Sequence, residues 1–184
     1  MLSVGKMNKL TIDRIVDEGA YLTSEKGEIL LPREEIPEDI HAGDEVDVFI
    51  SIEQDEQLQA TTTRPYAEVD DIAALEVVDI HDFGAFLEWG MKKNLLLPYR
   101  RQLNDVVIGQ KCVVKLLLDD RSGRVTASSR MRPFLKLNDG ALKGGQEVTA
   151  LFFEELEIGF LAIVNNAYLG LLHIGDVTEH VRIG

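Results

Sequence analysis

DFGAFLEWG, Asp82–Gly90, decides how this chain is read, because its central word returns twice at matched spacing. GAYL stands at Gly19–Leu22, GAFL at Gly84–Leu87 and GFLA at Gly159–Ala162, and each is followed by an apolar triplet: LLP at 30–32, LLP at 96–98 and LLH at 171–173. From the leading glycine to the end of the triplet the interval is 13, 14 and 14 residues, and to a later glycine (Gly43, Gly109, Gly184) it is 24, 25 and 25. Chance likeness between short apolar words would not hold both intervals, so the chain reads as a threefold repeat. The first two copies continue in parallel, through AGDEV (42–46) and ATTTRP (60–65) in one and IGQKC (108–112) and ASSRM (127–131) in the other.

Each complete copy reads as five short strands. EVDVFISI (45–52) and the run Val113–Leu118 mix β-branched and other apolar residues between turn signals. Glu25-Lys26-Gly27-Glu28 and Arg121-Ser122-Gly123-Arg124 place glycine where a hairpin needs positive φ, and Asp119 and Asp120 favour a turn start. Sixty-odd residues in five antiparallel strands cannot bury both faces of a flat sheet, and a small curved barrel filled by its own side chains resolves this. The expected fold is therefore all-β, with tandem five-stranded OB-fold barrels and a third, incomplete one. Gly19, Gly84 and Gly159 sit inside strand patterns, where a bulge or the tight bend of a barrel corner is expected; an ordinary turn glycine is the alternative.

The expected organisation is a first barrel over 1–66, a second over 67–132, a linker over 133–145 carrying Pro133, Asn138, Asp139, Gly140, Gly144 and Gly145, and a third repeat over 146–184. Within the linker region, 132–142 has room for one or two helical turns.

Composition narrows the function. Thirty-two acidic against nineteen basic residues give a formal charge of -13, which argues against coating duplex nucleic acid through positive field alone. The charge is uneven: residues 1–66 hold 6 basic and 15 acidic side chains, 67–135 hold 10 and 10, and 136–184 hold 3 and 7. An anionic ligand is therefore expected at the middle repeat. No apolar run approaches the roughly 18 residues of a membrane span, and the opening MLSVGKMNKL lacks a signal-like apolar region, so no membrane partner and a cytoplasmic location are expected. The single cysteine, Cys112, reads as a small core hydrophobe.

At Asp82–Gly90, followed by LLP and IGQKC, the sequence resembles the RNA-binding repeat of ribosomal protein S-one: a Phe-Gly-Ala-Phe strand, a Leu-Val-His-Ile strand, and Gly-Gln or Gly-Asp before the fourth strand. LLHIGDV at Leu171–Val177 resembles the same third-strand signature. The order of the units is similar to that of the bacterial conserved virulence factor B family. That resemblance implies a non-enzymatic RNA-binding regulator with three such repeats and a winged helix; by its pattern the third repeat here lacks two strands, leaving an exposed sheet edge.

Barrels of this kind bind single strands by stacking unpaired bases on aromatic faces while loop cations meet phosphates. The resemblance places Phe83 and Phe86 at the two second-strand aromatic positions, with Trp89 at that strand's end. Lys92 and Lys93 in the next hairpin, Arg100 and Arg101 after the third strand, and Arg121 and Arg124 in the closing hairpin are the candidate phosphate contacts. Tyr21 keeps the second aromatic position in the first repeat, and His173 keeps the histidine position in the third; Pro32 and Pro98 replace it in the others. All three aromatics of the middle repeat also have a reading as core residues. Phe83 and Phe86 lie three apart, so in a regular strand both face out only if Gly84 introduces a bulge. His173, Asp176, Glu179 and His180 fit no standard zinc spacing, and no cofactor motif, phosphate loop or nucleophile–base pair is present. Single-stranded RNA is the expected partner. The alternative is an acidic protein-interaction module, motivated by the charge of the first repeat.

Overall fold

Alternating apolar and polar residues in EVDVFISI suit a strand with one face on a core, and Val46, Val48 and Ile50 are buried there. The computed structural model describes residues 1–53 and 57–184. Strands β1 (Met7–Val16), β2 (Gly19–Ser24), β3 (Gly27–Pro32), β4 (Glu45–Ile52) and β5 (Leu58–Thr61) form one sheet in the order β3-β2-β1-β4-β5. Its end strands β3 and β5 also approach each other, which curls the sheet into a nearly closed barrel. In the second repeat β6 (Ile72–His81), β7 (Gly84–Leu87), β8 (Leu95–Pro98), β9 (Lys111–Leu118) and β10 (Val125–Ser128) take the equivalent order, β10-β9-β6-β7-β8. The third is a three-stranded sheet of β11 (Ala150–Leu156), β12 (Gly159–Val164) and β13 (Tyr168–His173). The fold is all-β, as expected: tandem OB-fold repeats with the third incomplete. The 132–142 region holds one helical turn, a 3-10 turn at Arg132–Phe134. Among the described residues no helix is long and apolar enough to cross a membrane.

Of the bulge and the tight bend expected at the recurring glycine, the bulge is not there. The bulge lies on the preceding strand, where register slips between Ile12 and Arg14, Val77 and Asp79, and Phe152 and Glu154. Gly19 and Gly159 continue in regular register against Pro32 and His173. At Gly84 an added Cβ would lie 2.5 Å from the Leu97 carbonyl oxygen; at Gly19 and Gly159 it would lie closer still to those of Leu31 and Leu172. Only a residue without a side chain lets the neighbouring backbone approach this closely.

Two compact units make up the chain. One comprises Met1–Asp71, Trp89–Leu95 and Leu116–Thr126. Its core is the barrel interior, with Ile12, Leu22, Ile29, Leu31 and Ile50 at most 1% exposed. The other comprises Ile72–Glu88, Leu96–Lys115 and Ala127–Gly184. Here Phe153, Leu161 and Ile163 of the third repeat share one buried cluster with Val113 of β9 and with Met131. At about 1.5–3 kcal/mol per buried large apolar side chain, this packing offsets what three strands lack alone. The segment after β10 also adds one parallel bridge, Lys136 to Tyr168, to the edge of β13. Cys112 is buried as a small hydrophobe, and burial pushes its thiol up.

Candidate nucleic-acid interface

β6 ends at His81 and β7 begins at Gly84, which leaves Asp82 and Phe83 as a two-residue turn. Phe83 is thus outside the strand, and the period-two rule does not govern it. A bulge at Gly84 is not what brings the two phenylalanines together; the turn does. Phe83 is 58% exposed and Phe86 half-buried, with ring centroids 5.8 Å apart and planes at 88°. His81 joins them, lying parallel to Phe83 (5.8 Å, 8°) and edge-on to Phe86 (5.3 Å). Asp79, paired across the strands with Phe86, holds His81 Nε2 at 3.0 Å. The Tyr99 amide donates to the Phe83 carbonyl (3.3 Å), and the Tyr99 side chain is 46% exposed. Arg100, next in the chain, is exposed, while Arg101 is half-buried with its carbonyl accepting from the Ser129 amide (3.0 Å). Sequence reasoning missed His81 and Tyr99. The signal was an aromatic on each side of the matched words, in HDF and LPY, where the other repeats have none.

Trp89 corrects an expectation. It is 6% exposed, edge-on to Phe49 (5.7 Å, 83°), and its Nε1 donates to the Lys93 carbonyl (2.7 Å), so it presents no open face. Tyr21 is half-buried beneath the Arg14 guanidinium, 4.2 Å from its ring centre, and Arg14 is itself forked onto Glu28 (2.5 and 2.9 Å). His173 is exposed, but its Nδ1 accepts from the Gly175 amide (3.3 Å) and caps the 3-10 turn Ile174–Asp176.

The cations divide in two. Lys92 pairs with Glu35 (3.0 Å) and lies 3.9 Å from Glu34, and Lys93 pairs with Glu53. These lysines, expected at phosphates, are committed to carboxylates instead. Arg121 and Arg124 are exposed on a hairpin whose turn is organised by Asp119, which accepts from the Arg121 and Ser122 amides. Among the described residues neither arginine side chain is ion-paired.

Glu35 is the centre of the lysine clamp. Its side chain is 8% exposed and accepts from Thr61 Oγ1 (2.7 Å), the Thr62 amide (3.2 Å) and Thr62 Oγ1 (3.1 Å). Burial alone would raise the carboxyl; the hydrogen bonds from Thr61, Lys92 and Thr62 and the charge of Lys92 outweigh it and hold the group below the usual carboxylate range. A carboxyl lowered by folding adds stability above its unfolded value and loses it as pH falls through the folded one. Glu35→Gln should cost about 1–3 kcal/mol near neutral pH, with the gap to the unaltered chain closing below about pH 4, the unfolded carboxylate range. Urea melts at several pH values check this, and a gap constant with pH contradicts it.

The family comparison agrees with the architecture. Residues 4–63 match the family model of the S1 domain. The first barrel is thus similar to an S1 domain. It is 40% identical over 187 residues to the uncharacterized protein YitL of Bacillus subtilis (strain 168), a match covering 98% of this chain and 63% of that one. Its fold is like that of a multidomain protein with nucleic acid binding domains from Streptococcus pneumoniae TIGR4, with a TM-score of 0.59 and 17% identity. That match covers 98% of this chain and 66% of the solved one, so the chain spans about two thirds of the length of either relative.

Proposed function

We propose that this chain binds single-stranded RNA without catalysing a reaction, and serves in post-transcriptional regulation of gene expression in the cytoplasm. The observation that carries the reading is the open ring cluster of the second repeat, where Phe83 and Phe86 turn apolar faces to solvent on a five-stranded OB-fold barrel. An S1 domain at 4–63 and the nucleic acid binding domains named for the pneumococcal protein support it. Phe83 and Phe86 stack bases. Arg100 and Arg101 after the third strand and Arg121 and Arg124 on the closing hairpin meet phosphates, while Lys92 and Lys93 serve the fold. The division into 1–66, 67–132, 133–145 and 146–184 then assigns binding chiefly to the second repeat. For the first, a protein partner is the better reading, because Arg14 already covers Tyr21 at the position of Phe86.

The test is a titration of fluorescein-labelled unstructured RNA at several salt concentrations. Neutralising Z phosphates of a single strand gives a slope of about -0.7Z in log K against log salt. Phe86→Ala should weaken binding by about 1–3 kcal/mol, or roughly 5- to 140-fold. Failure to bind at low salt, or indifference to salt, overturns the reading.

A further inference from the structure

The three repeats share one backbone at the end of the barrel that carries the ring cluster, and this makes each a control for the others. In every repeat the residue after the apolar triplet lends its amide to the residue before the matched word: Arg33 to Glu18, Tyr99 to Phe83, Ile174 to Ile158. In every repeat the last residue of the first strand pairs with the leading glycine: Val16 with Gly19, His81 with Gly84, Leu156 with Gly159. The second-strand position is Tyr21, Phe86 and Leu161, facing Arg14, Asp79 and Glu154.

Four equivalent positions are therefore Val16, Glu18, Tyr21 and Arg33 in the first repeat, and Leu156, Ile158, Leu161 and Ile174 in the third. In the second they are His81, Phe83, Phe86 and Tyr99, a ring at every one. The backbone does not require rings here, since the first repeat forms the same turn and the same hydrogen bond with one ring and the third with none. Packing does not require them either: His81 is exposed, Phe83 is 58% exposed and Tyr99 46%. Large apolar faces kept in water by a fold that does not need them mark a binding surface.

We infer that His81 and Tyr99 contact bases alongside Phe83 and Phe86, so that the second repeat presents a four-ring platform to single-stranded RNA. This rests on the function proposed above. Asp79 has a defined part in it. A carboxylate can only accept, so His81 Nε2 carries the proton on the 3.0 Å bond, and the bond fixes the imidazole plane parallel to Phe83. Rings already fixed lose little conformational freedom when a base lies against them.

The experiment uses the full chain and a fluorescein-labelled 12-nucleotide oligoadenylate, with His81→Ala, Tyr99→Ala, His81→Phe, Tyr99→Phe and Phe86→Ala measured beside the unaltered protein. His81→Ala and Tyr99→Ala are each expected to weaken binding by about fivefold or more, as loss of a stacking ring does. Tyr99→Phe should stay within about twofold of the unaltered protein. His81→Phe should bind better than His81→Ala but short of the unaltered protein, because it keeps a ring and loses the bond to Asp79. The salt slope should not change, because a ring neutralises no phosphate. Unchanged binding by both alanine variants, with Phe86→Ala weakened, overturns the inference and leaves the RNA-binding reading standing. Phenylalanine variants as weak as the alanine ones, or a slope reduced by about 0.7, also overturn it, since the groups would then act through their polar atoms or charge. No binding by the unaltered protein defeats the RNA-binding reading itself.

Discussion

Trp89→Ala is expected to destabilise the folded chain by about 3–5 kcal/mol, the range for emptying a buried aromatic site. The ring is 6% exposed and meets Phe49 edge-on, and Phe49 is itself fully buried on the face of β4 opposite Val48 and Ile50. Removing the indole uncovers that phenylalanine and leaves the Lys93 carbonyl without the donor it now has at 2.7 Å. Around it, the Tyr66 amide donates to the Trp89 carbonyl (2.9 Å), so the backbone stays while the side-chain volume goes, which is the condition for a cavity. Trp89→Phe separates the two contributions: it refills part of the volume but not the hydrogen bond, and should cost about 1–3 kcal/mol. Urea denaturation followed by circular dichroism reads both. RNA titration of the same variants, at temperatures where they are folded, should show Trp89→Phe binding as the unaltered protein does. A Trp89→Ala chain that melts normally yet loses RNA would return the indole to the role first expected of it.

What the sequence reveals and what it hides follow from how local the causes are. The strand EVDVFISI, the hairpin glycines Gly27 (φ 104°) and Gly123 (φ 67°) and the threefold spacing are written in a few consecutive residues, and they appear where expected. Lys92 and Lys93 could not be judged locally, because their carboxylates, Glu35 and Glu53, lie some forty or more positions earlier and meet them only through the fold. The choice between the core and stacking readings of Trp89 is not local either, with Phe49 forty residues away. Phe83 is subtler: it lies one residue before β7 begins, where strand periodicity no longer governs the side chain. The spacing shows that the third repeat is short of two strands but not that Phe153, Leu161 and Ile163 pack with Val113 and Met131, residues brought to them only by the fold.

Gly84→Ala should be the most damaging of the glycine-to-alanine changes in the second repeat. The new Cβ would stand 2.5 Å from the Leu97 carbonyl oxygen and 2.9 Å from Pro98 Cα, and both are backbone atoms of β8. A side chain could rotate away; a strand can withdraw only by giving up its pairing with β7. Overpacking of this kind costs about 1–3 kcal/mol where side chains absorb it and more where backbone must move, so a loss of about 3 kcal/mol or greater is expected. The damage should also reach function, because withdrawing β8 carries Tyr99 from the Phe83 carbonyl it bonds at 3.3 Å and dissolves the ring cluster. Gly144→Ala is the matched control. Its added Cβ would meet nothing within 4 Å and its φ is not positive, so it should be neutral or gain about 0.4–1 kcal/mol by restricting the unfolded chain. Equal melting of the two variants would mean that β7 and β8 are not held at the separation the structure gives them, and the platform built on that separation would lose its footing.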